Sequence, residues 1–260
     1  MVKRGIISIV VILLFLSSAF SMDNCLKVEK ELWILQNQIV EKSFKELHYG
    51  AWAKYASNLK AVYLGKQVSP KTGMKLYVIE FTGEGPVGQI WYKLTPKDVI
   101  YQGKIFRYWT LEPMEAYVLK NQGVYYIPKP MIETYMRMTG GNSWSRILKE
   151  GIILPSSDCW DVVEIKETSY TVSNGRKIKA TLIRSRENGG KLYCSTKVPF
   201  GMVESVDSRG GPDKLIDYGF SGGRAKITKS MRANAKPFPV PPLNGNINPS
   251  DGFPKFPFKQ

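Results

Sequence analysis

Two glycine-containing motifs in the chain have the spacing of known chemical sites. Residues 83–88 read Gly-Glu-Gly-Pro-Val-Gly, the G-x-G-x-x-G spacing that holds the pyrophosphate of a dinucleotide when a helix begins directly after it. The residues that follow, Gln-Ile-Trp-Tyr-Lys, have the composition of a strand, and Pro86 lies inside the loop. The sequence therefore predicts a hairpin turn here, without a nucleotide cofactor.

The second motif, Gly-Phe-Ser-Gly-Gly at residues 219–223, matches the nucleophile elbow of serine hydrolases. In those enzymes the catalytic histidine follows the serine in the chain, whereas the single histidine of this sequence is His48, far upstream of Ser221. A serine without a base within hydrogen-bonding reach is a weak nucleophile. One histidine and three scattered cysteines also lack the spacing of a metal site. We expect no enzymatic activity, cofactor or metal, and rank an envelope hydrolase third among the functions.

The cysteines raise the question of a reactive thiol. Cys194 lies in the stretch Lys-Leu-Tyr-Cys-Ser-Thr-Lys-Val, where alternation places it with the apolar side chains, and Cys159 shares a face with apolar residues that follow it. Two inward cysteines in an exported chain predict a disulfide between Cys159 and Cys194, or one that involves Cys25; separate buried thiols are the alternative. A catalytic thiol would need an activating base, and the lysines beside Cys194 point to the opposite face.

Aromatic side chains are concentrated in two neighbouring strand-like stretches. Trp91 and Tyr92 must face opposite ways, and Phe106 opposes Trp109. Strands that are apolar on both faces need cover on both, or cover on one face and an apolar cavity on the other. We expect some of these four side chains to line a ligand cavity, in which only one of Trp91 and Tyr92 takes part. An ordinary filled core is the alternative.

Basic residues flank these aromatic side chains. Lys93, Lys104 and Arg107 are predicted to contact the anionic head group of a bound amphiphile. The whole chain is basic, with 37 Lys and Arg against 22 Asp and Glu and a formal net charge of +15. Such a charge favours anionic surfaces of the cell envelope, and a charge that serves solubility alone is the alternative. Nucleic acid is not expected as a partner, because the chain is predicted to be exported.

A secretory signal peptide is predicted over residues 1–21. Lys3 and Arg4 precede an uncharged apolar run, and Ala19 and Ser21 provide small residues at the positions that a signal peptidase reads. We therefore expect the protein in the periplasm or the outer cell envelope. An uncleaved membrane anchor is the alternative, because the run is slightly short for a bilayer span.

The remaining pattern predicts one helix and then a long series of strands. Apolar residues recur at helical spacing over residues 26–48, and from about residue 60 the period changes to two. Strands so closely spaced leave no room for crossover helices, so the sheet should be mostly antiparallel. One helical insertion interrupts it at residues 130–151. We predict an α+β, mainly β fold: a curved antiparallel sheet, or incomplete β-barrel, covered by the N-terminal helix and the inserted helical segment.

The predicted domain covers residues 22–230 and is followed by a Pro-rich tail, residues 231–260. From Lys236 onward the composition shifts to Pro, Phe, Asn and Gly. Prolines at this density predict a largely disordered tail that joins neither a helix nor the sheet. Its Phe-Pro repeats suit a docking segment, and an inert tail is the alternative.

The order of these elements resembles that of the periplasmic lipoprotein carriers and outer-membrane receptors of the LolA/LolB type. The closest similarity lies in residues 189–219, from Gly-Gly-Lys-Leu-Tyr-Cys to Lys-Leu-Ile-Asp-Tyr-Gly, which look like the final strands of such proteins. The resemblance, over roughly residues 26–228, implies an incomplete β-barrel whose helices cover an apolar cavity for acyl chains. It implies a lipid or an acylated protein as the partner. A structural or interaction protein with a solid core and a docking tail is the alternative function.

Overall fold

The computed structural model describes seven segments of the chain. They are residues 27–83, 86–101, 103–121, 123–138, 162–185, 189–206 and 213–239. The predicted signal peptide, most of the helical insertion and Cys159 lie outside these residues. No helix within the described segments is long and apolar enough to cross a membrane.

The described chain is mainly β, as the sequence predicts. In chain order its strands are β1 (Trp52–Tyr55), β2 (Lys60–Val68), β3 (Lys75–Thr82), β4 (Val87–Tyr101), β5 (Lys104–Lys120), β6 (Gly123–Pro128), β7 (Val162–Thr171), β8 (Lys177–Ser185), β9 (Lys191–Cys194), β10 (Met202–Val206), β11 (Asp213–Gly219) and β12 (Lys236–Pro237). The helices are α1, which covers residues 27–40 and continues as a π-helical turn at Glu41–Lys45, α2 (Lys129–Met138) and α3 (Lys229–Ala233).

All twelve strands belong to one open sheet in the order β12-β6-β5-β4-β3-β2-β1-β11-β10-β9-β8-β7. β1 joins the first half of the chain to the last strands by pairing with both β2 and β11. Every neighbouring pair is antiparallel except β12, which runs parallel to β6. The predicted mostly antiparallel sheet is therefore confirmed. β3 and β4, which precede and follow residues 83–86 of the glycine motif, are antiparallel neighbours, as the hairpin interpretation predicts.

The sheet buries apolar side chains on both faces. The inner face carries buried Tyr92 and Leu111, which belong to the same hydrophobic cluster as Leu32, Leu35 and Ile39 of α1 and Ile132 of α2. The outer face carries buried Trp91 and Tyr117, which cluster with Val62 and Leu64 of β2 and with Ile227 from the C-terminal part of the chain. Burial on both faces follows from the two-sided apolar pattern of β4 and β5.

The beginning of the predicted tail is part of the fold. Arg232, Ala235 and Phe238 are buried, α3 covers residues up to Ala233, and β12 pairs with β6 as the edge strand of the sheet. An edge strand tolerates Pro237 because a missing backbone N–H costs nothing where no further strand pairs. The prediction that the Pro-rich stretch from Lys236 joins neither a helix nor the sheet is therefore wrong for Lys236 and Pro237, which form β12.

Candidate functional site

The β4–β5 hairpin is longer than the strands on either side of it. β3 pairs with β4 only as far as Tyr92, and β6 pairs with β5 only from Glu115 onward. Beyond these points, residues 93–101 and 104–112 form a two-stranded ribbon in which the two strands pair with each other. We call this part of the hairpin the ribbon.

One side of the ribbon continues the inner face of the sheet. Residues directly opposite each other in an antiparallel pair share a face, and successive pairs on the inner side are Leu94–Leu111, Pro96–Trp109, Asp98–Arg107 and Ile100–Ile105. Burial decreases along this series. Leu111 is fully buried, Trp109 is half-buried, and Ile100 and Ile105 at the tip are both 76% exposed. We call this series the apolar track, since one ion pair alone interrupts it.

That ion pair joins Arg107 to Asp98 across the ribbon. The guanidinium Nε and Nη2 donate to the two carboxylate oxygens over 2.6 and 2.7 Å. The hydrogen bond from Arg107 is the main reason that the pKa of the Asp98 carboxyl lies below its usual value. Both side chains are exposed, so a cation and an anion lie at the surface between the buried and the exposed parts of the track.

The other side of the ribbon carries aromatic and basic side chains. Trp33 of α1 stacks on Phe106 and on Tyr108, with ring centroids 5.6 and 5.8 Å apart. Lys93 and Lys104 point to this side and are exposed. The ribbon thus has an apolar inner side with an exposed tip and a basic, aromatic opposite side that contacts α1.

The helix α1 also satisfies the backbone edge of β5 that β6 leaves unpaired. The Asn37 Oδ1 accepts a hydrogen bond from the Trp109 N–H over 2.9 Å, and its Nδ2 donates to the Arg107 carbonyl oxygen over 3.0 Å. The Gln36 Nε2 donates to the Trp109 carbonyl oxygen over 3.1 Å. The side chains of Gln36 and Asn37 therefore take the place of a neighbouring strand at Arg107 and Trp109, so these backbone groups are not available for pairing with another chain.

The residues predicted to form a cavity and bind a head group all lie on β4 and β5, but on two faces. Tyr92, Arg107 and Trp109 belong to the inner side, whereas Trp91, Lys93, Lys104 and Phe106 belong to the other. Trp91 packs under Arg232, 5.2 Å from the guanidinium carbon, on the outer face. Ile100 and Ile105 were not among the residues predicted to line the cavity, although period-two alternation places both on the face of Trp109.

Tyr92 has a buried hydroxyl at the root of the apolar track. The side chain is fully buried, and its hydroxyl has no hydrogen-bond partner among the described residues. Burial raises the pKa of Tyr92 well above its usual value, which favours the neutral hydroxyl, a hydrogen-bond donor. Buried hydroxyls in proteins nearly always have a partner, which makes this one a candidate contact for a bound molecule.

The other chemically reactive residues considered from the sequence are placed as follows. Cys194 is fully buried in the inner cluster, and burial raises the pKa of its thiol to about 12, the opposite of what a nucleophilic cysteine needs. Cys159 is not among the described residues, so the disulfide stays a prediction. Ser221 and His48 are exposed. Within the described segments no three His, Cys, Asp or Glu residues are grouped so that they could bind a metal ion.

The arrangement suits an amphipathic molecule, since an apolar strip leads from a buried tyrosine hydroxyl past a guanidinium to an exposed pair of isoleucines. No protein-family model, curated protein or solved structure matches this chain. The chemistry of the ribbon and of the two sheet faces therefore carries the functional inference.

Proposed function

We propose that the protein binds a lipid or another acylated molecule in the cell envelope, with the acyl chain along the apolar track. The observation that carries this proposal is the apolar track itself: a strip that begins in the core and ends in two directly opposed isoleucines, Ile100 and Ile105, each 76% exposed. A hairpin tip with two such side chains in water is unfavourable unless something covers them. An acyl chain that covers the strip gains about 0.8 kcal/mol for each buried methylene.

The proposed ligand has an anionic head group. Arg107 interrupts the track close to its exposed end, and Lys104 follows the turn at the tip. An anionic head group in this position either replaces Asp98 at the guanidinium of Arg107 or binds beside it. The planar guanidinium suits carboxylate and phosphate oxygens. The basic charge of the chain, +15 overall, favours the approach of such ligands.

The root of the track supplies a polar contact for the ligand. The Tyr92 hydroxyl is a neutral donor inside the inner cluster, and an ester or amide carbonyl of an acyl group is a matching acceptor. In this arrangement the sheet curves around the ligand as an incomplete barrel. α1 and α2 contribute buried side chains to the same inner cluster, which supports their role as the cover.

A second candidate function is that of a structural or interaction protein of the envelope with a filled core. The observation in its favour is that Tyr92 and Leu111 are already fully buried by other side chains of the inner cluster. In that case the exposed tip of the ribbon contacts a partner protein, and no acyl chain enters the track.

Titration of the delipidated protein with a fluorescent fatty acid tests the proposal. We expect saturable binding that weakens at high salt, because screening reduces the attraction between the head group and Arg107. Trp109→Ala should weaken binding about tenfold, since a large part of the track is lost. Phe220→Ala, which removes an exposed aromatic ring after β11, is the matched control and should bind like the wild type. No saturable binding, or equal binding by both variants, would favour the structural function.

A further inference from the structure

The C-terminal described segment crosses the outer face of the sheet and continues around its edge. The chain leaves β11 and passes directly against β1 and β2, where the Gly223 N–H donates to the Gly50 carbonyl oxygen over 2.7 Å. A Cβ at Gly223 would lie 2.7 Å from a Val62 methyl carbon, so only glycine allows this approach. We call residues 224–239, which include α3 and β12, the strap.

A buried arginine binds the strap to the outer face. The Arg232 guanidinium donates to the Ile227 carbonyl oxygen over 3.0 Å, to Gln89 Oε1 over 3.2 Å and to Gln67 Oε1 over 2.9 Å. Its carbon lies 5.2 Å from the centre of the Trp91 ring. Arg232 is 6% exposed, so these contacts replace most of its hydration.

A buried carboxylate binds the strap one turn earlier. The Glu80 oxygens accept hydrogen bonds from the backbone N–H groups of Lys226 and Ile227 over 2.7 and 2.9 Å. The Gln89 Nε2 donates both to Glu80 and to the Ile227 carbonyl oxygen, over 2.9 and 2.8 Å. The polar groups of β3 and β4 on the outer face are therefore matched to the backbone of the strap.

The end of the strap belongs to the opposite face. The Phe238 N–H donates to the Tyr126 carbonyl oxygen over 3.0 Å, next to the short parallel pairing of β12 with β6. The Phe238 side chain is 3% exposed and lies in the inner cluster, with its ring centre 5.9 Å from that of Tyr125. Five residues thus lie between the anchor on the outer face, Arg232, and the anchor on the inner face, Phe238.

We propose that the strap is a latch that couples the two faces of the sheet, so that the contacts of Arg232 and those of Phe238 form and break together. The two anchors are joined by the end of α3 and a strand of two residues, Lys236–Pro237. So short a connection, fixed at the sheet edge, leaves little freedom for one anchor to leave while the other stays.

The strap can also leave the outer face while the strands of the sheet stay paired. Two buried polar atoms at this site, Trp91 Nε1 and Arg232 Nε, have no hydrogen-bond partner among the described residues. Opening the strap hydrates them, which offsets part of the apolar contact that is lost. β6 keeps its pairing with β5 when β12 leaves, so the opening is local.

This coupling does not depend on the proposed acyl ligand. If the two anchors are coupled, loss of either one lowers the equilibrium constant for docking of the other by the same factor. A ligand that displaced Phe238 from the inner face would release Arg232 by the same linkage, and that consequence alone rests on the proposed function.

Native-state hydrogen exchange of the full chain, read by mass spectrometry, tests the latch. Arg232→Met keeps most of the side-chain volume and removes the donors, and we expect amide exchange over residues 235–238 to accelerate about tenfold. Exchange in β1–β3 should stay as in the wild type. Lys229→Met, an exposed position of the same helix, is the matched control and should leave every peptide unchanged.

The reverse variant makes the test independent of how Arg232→Met folds. Phe238→Ala removes only the inner anchor, and we expect faster exchange of the Lys226 and Ile227 amides, which bond to Glu80 on the outer face. Acceleration confined to the neighbourhood of each substituted residue would overturn the coupling. Acceleration of the whole sheet would overturn it as well, because the strap would then open only with global unfolding.

Discussion

Arg107 is held in place by Asp98 at the point where the apolar track becomes exposed. In Asp98→Asn the guanidinium loses its anionic partner across the ribbon and is available to a ligand anion. We expect the affinity for a fluorescent fatty acid to rise about threefold, while the affinity for the corresponding uncharged alcohol stays the same. Equilibrium titration of both ligands measures the difference.

The control for this substitution is Glu167→Gln, which removes a carboxylate paired with Lys179 far from the ribbon on β7 and β8. It makes the same change in net charge. If both variants bind the fatty acid equally well, the gain reflects overall charge, and the role of Arg107 is refuted.

Glu115 makes the stability of the fold depend on pH in a predictable direction. Burial is the main reason that the pKa of this carboxyl is raised, against the opposing effects of the Ser69 hydrogen bond and of the charges on Arg232 and Lys71. A carboxyl with a raised pKa in the folded state contributes stability that is complete below its unfolded pKa, about 4.3. That contribution is lost as the pH rises through the folded value.

Glu115→Gln should remove this dependence. The amide oxygen still accepts the hydrogen bond from the Ser69 hydroxyl, which the carboxylate accepts over 2.9 Å. Chemical denaturation at pH 4.5 and pH 8 should show a smaller loss of unfolding free energy in the variant than in the wild type. An equal or larger loss in the variant would mean that the carboxyl is not destabilised by burial.

At the scale of the elements, α1 is fixed to the ribbon by the side chain of Asn37, which forms hydrogen bonds with the backbone of β5. Asn37→Ala leaves the Trp109 N–H and the Arg107 carbonyl oxygen without their partner. We expect a loss of about 1–2 kcal/mol of unfolding free energy, measured by urea denaturation. Gln38→Ala, at the next and exposed position of the helix, should change the unfolding free energy by no more than a few tenths of a kcal/mol, because Ala is a slightly better helix former than Gln. An equal loss in both variants would contradict the role of the edge contact, because only Asn37 makes it.

The strands and the first helix were predictable because periodicity is a local signal. The alternation of β4 and β5 correctly assigns Trp91 and Tyr92 to opposite faces, and the absence of crossover helices predicts antiparallel pairing. The contact of Asn37 with the backbone of β5 was not predictable. It joins residues 70 and 72 positions apart, and nothing in the sequence near Asn37 indicates which strand it meets.

The strap was missed for a related reason. The prolines after Lys236 correctly exclude a central strand, but an edge position with a parallel partner tolerates Pro237. Arg232 gives no local signal either, since its partners Gln67 and Gln89 come from β2 and β4. Buried polar networks of this kind are assembled by the sheet order, which the sequence pattern leaves open.

At the scale of the whole molecule, the strap carries the described fold beyond residue 230. A chain that stops after Ser230 lacks Arg232, Ala235 and Phe238, all of which are buried, whereas a chain that stops after Pro239 keeps them. We expect the shorter chain to lose about 3 kcal/mol or more of unfolding free energy, since loss of a buried phenylalanine alone has this magnitude. The longer chain should unfold like the full-length protein.

Thermal and urea denaturation of the two truncated chains measure this boundary. If the chain ending at Ser230 is as stable as the chain ending at Pro239, the strap contributes nothing to the domain. The domain boundary that the sequence predicts at residue 230 would then be adequate.

Photo-crosslinking with a diazirine-labelled fatty acid, followed by peptide mapping, tests the central claim most directly. The account predicts saturable labelling of residues 94–111, on the inner-side positions Leu94, Trp109, Ile105 and Ile100. Unlabelled fatty acid should compete with it, and Ile100→Ser with Ile105→Ser should reduce it strongly. Labelling that is absent, that does not saturate, or that falls on outer-face peptides such as those containing Trp91 or Arg232 would contradict acyl binding along the track.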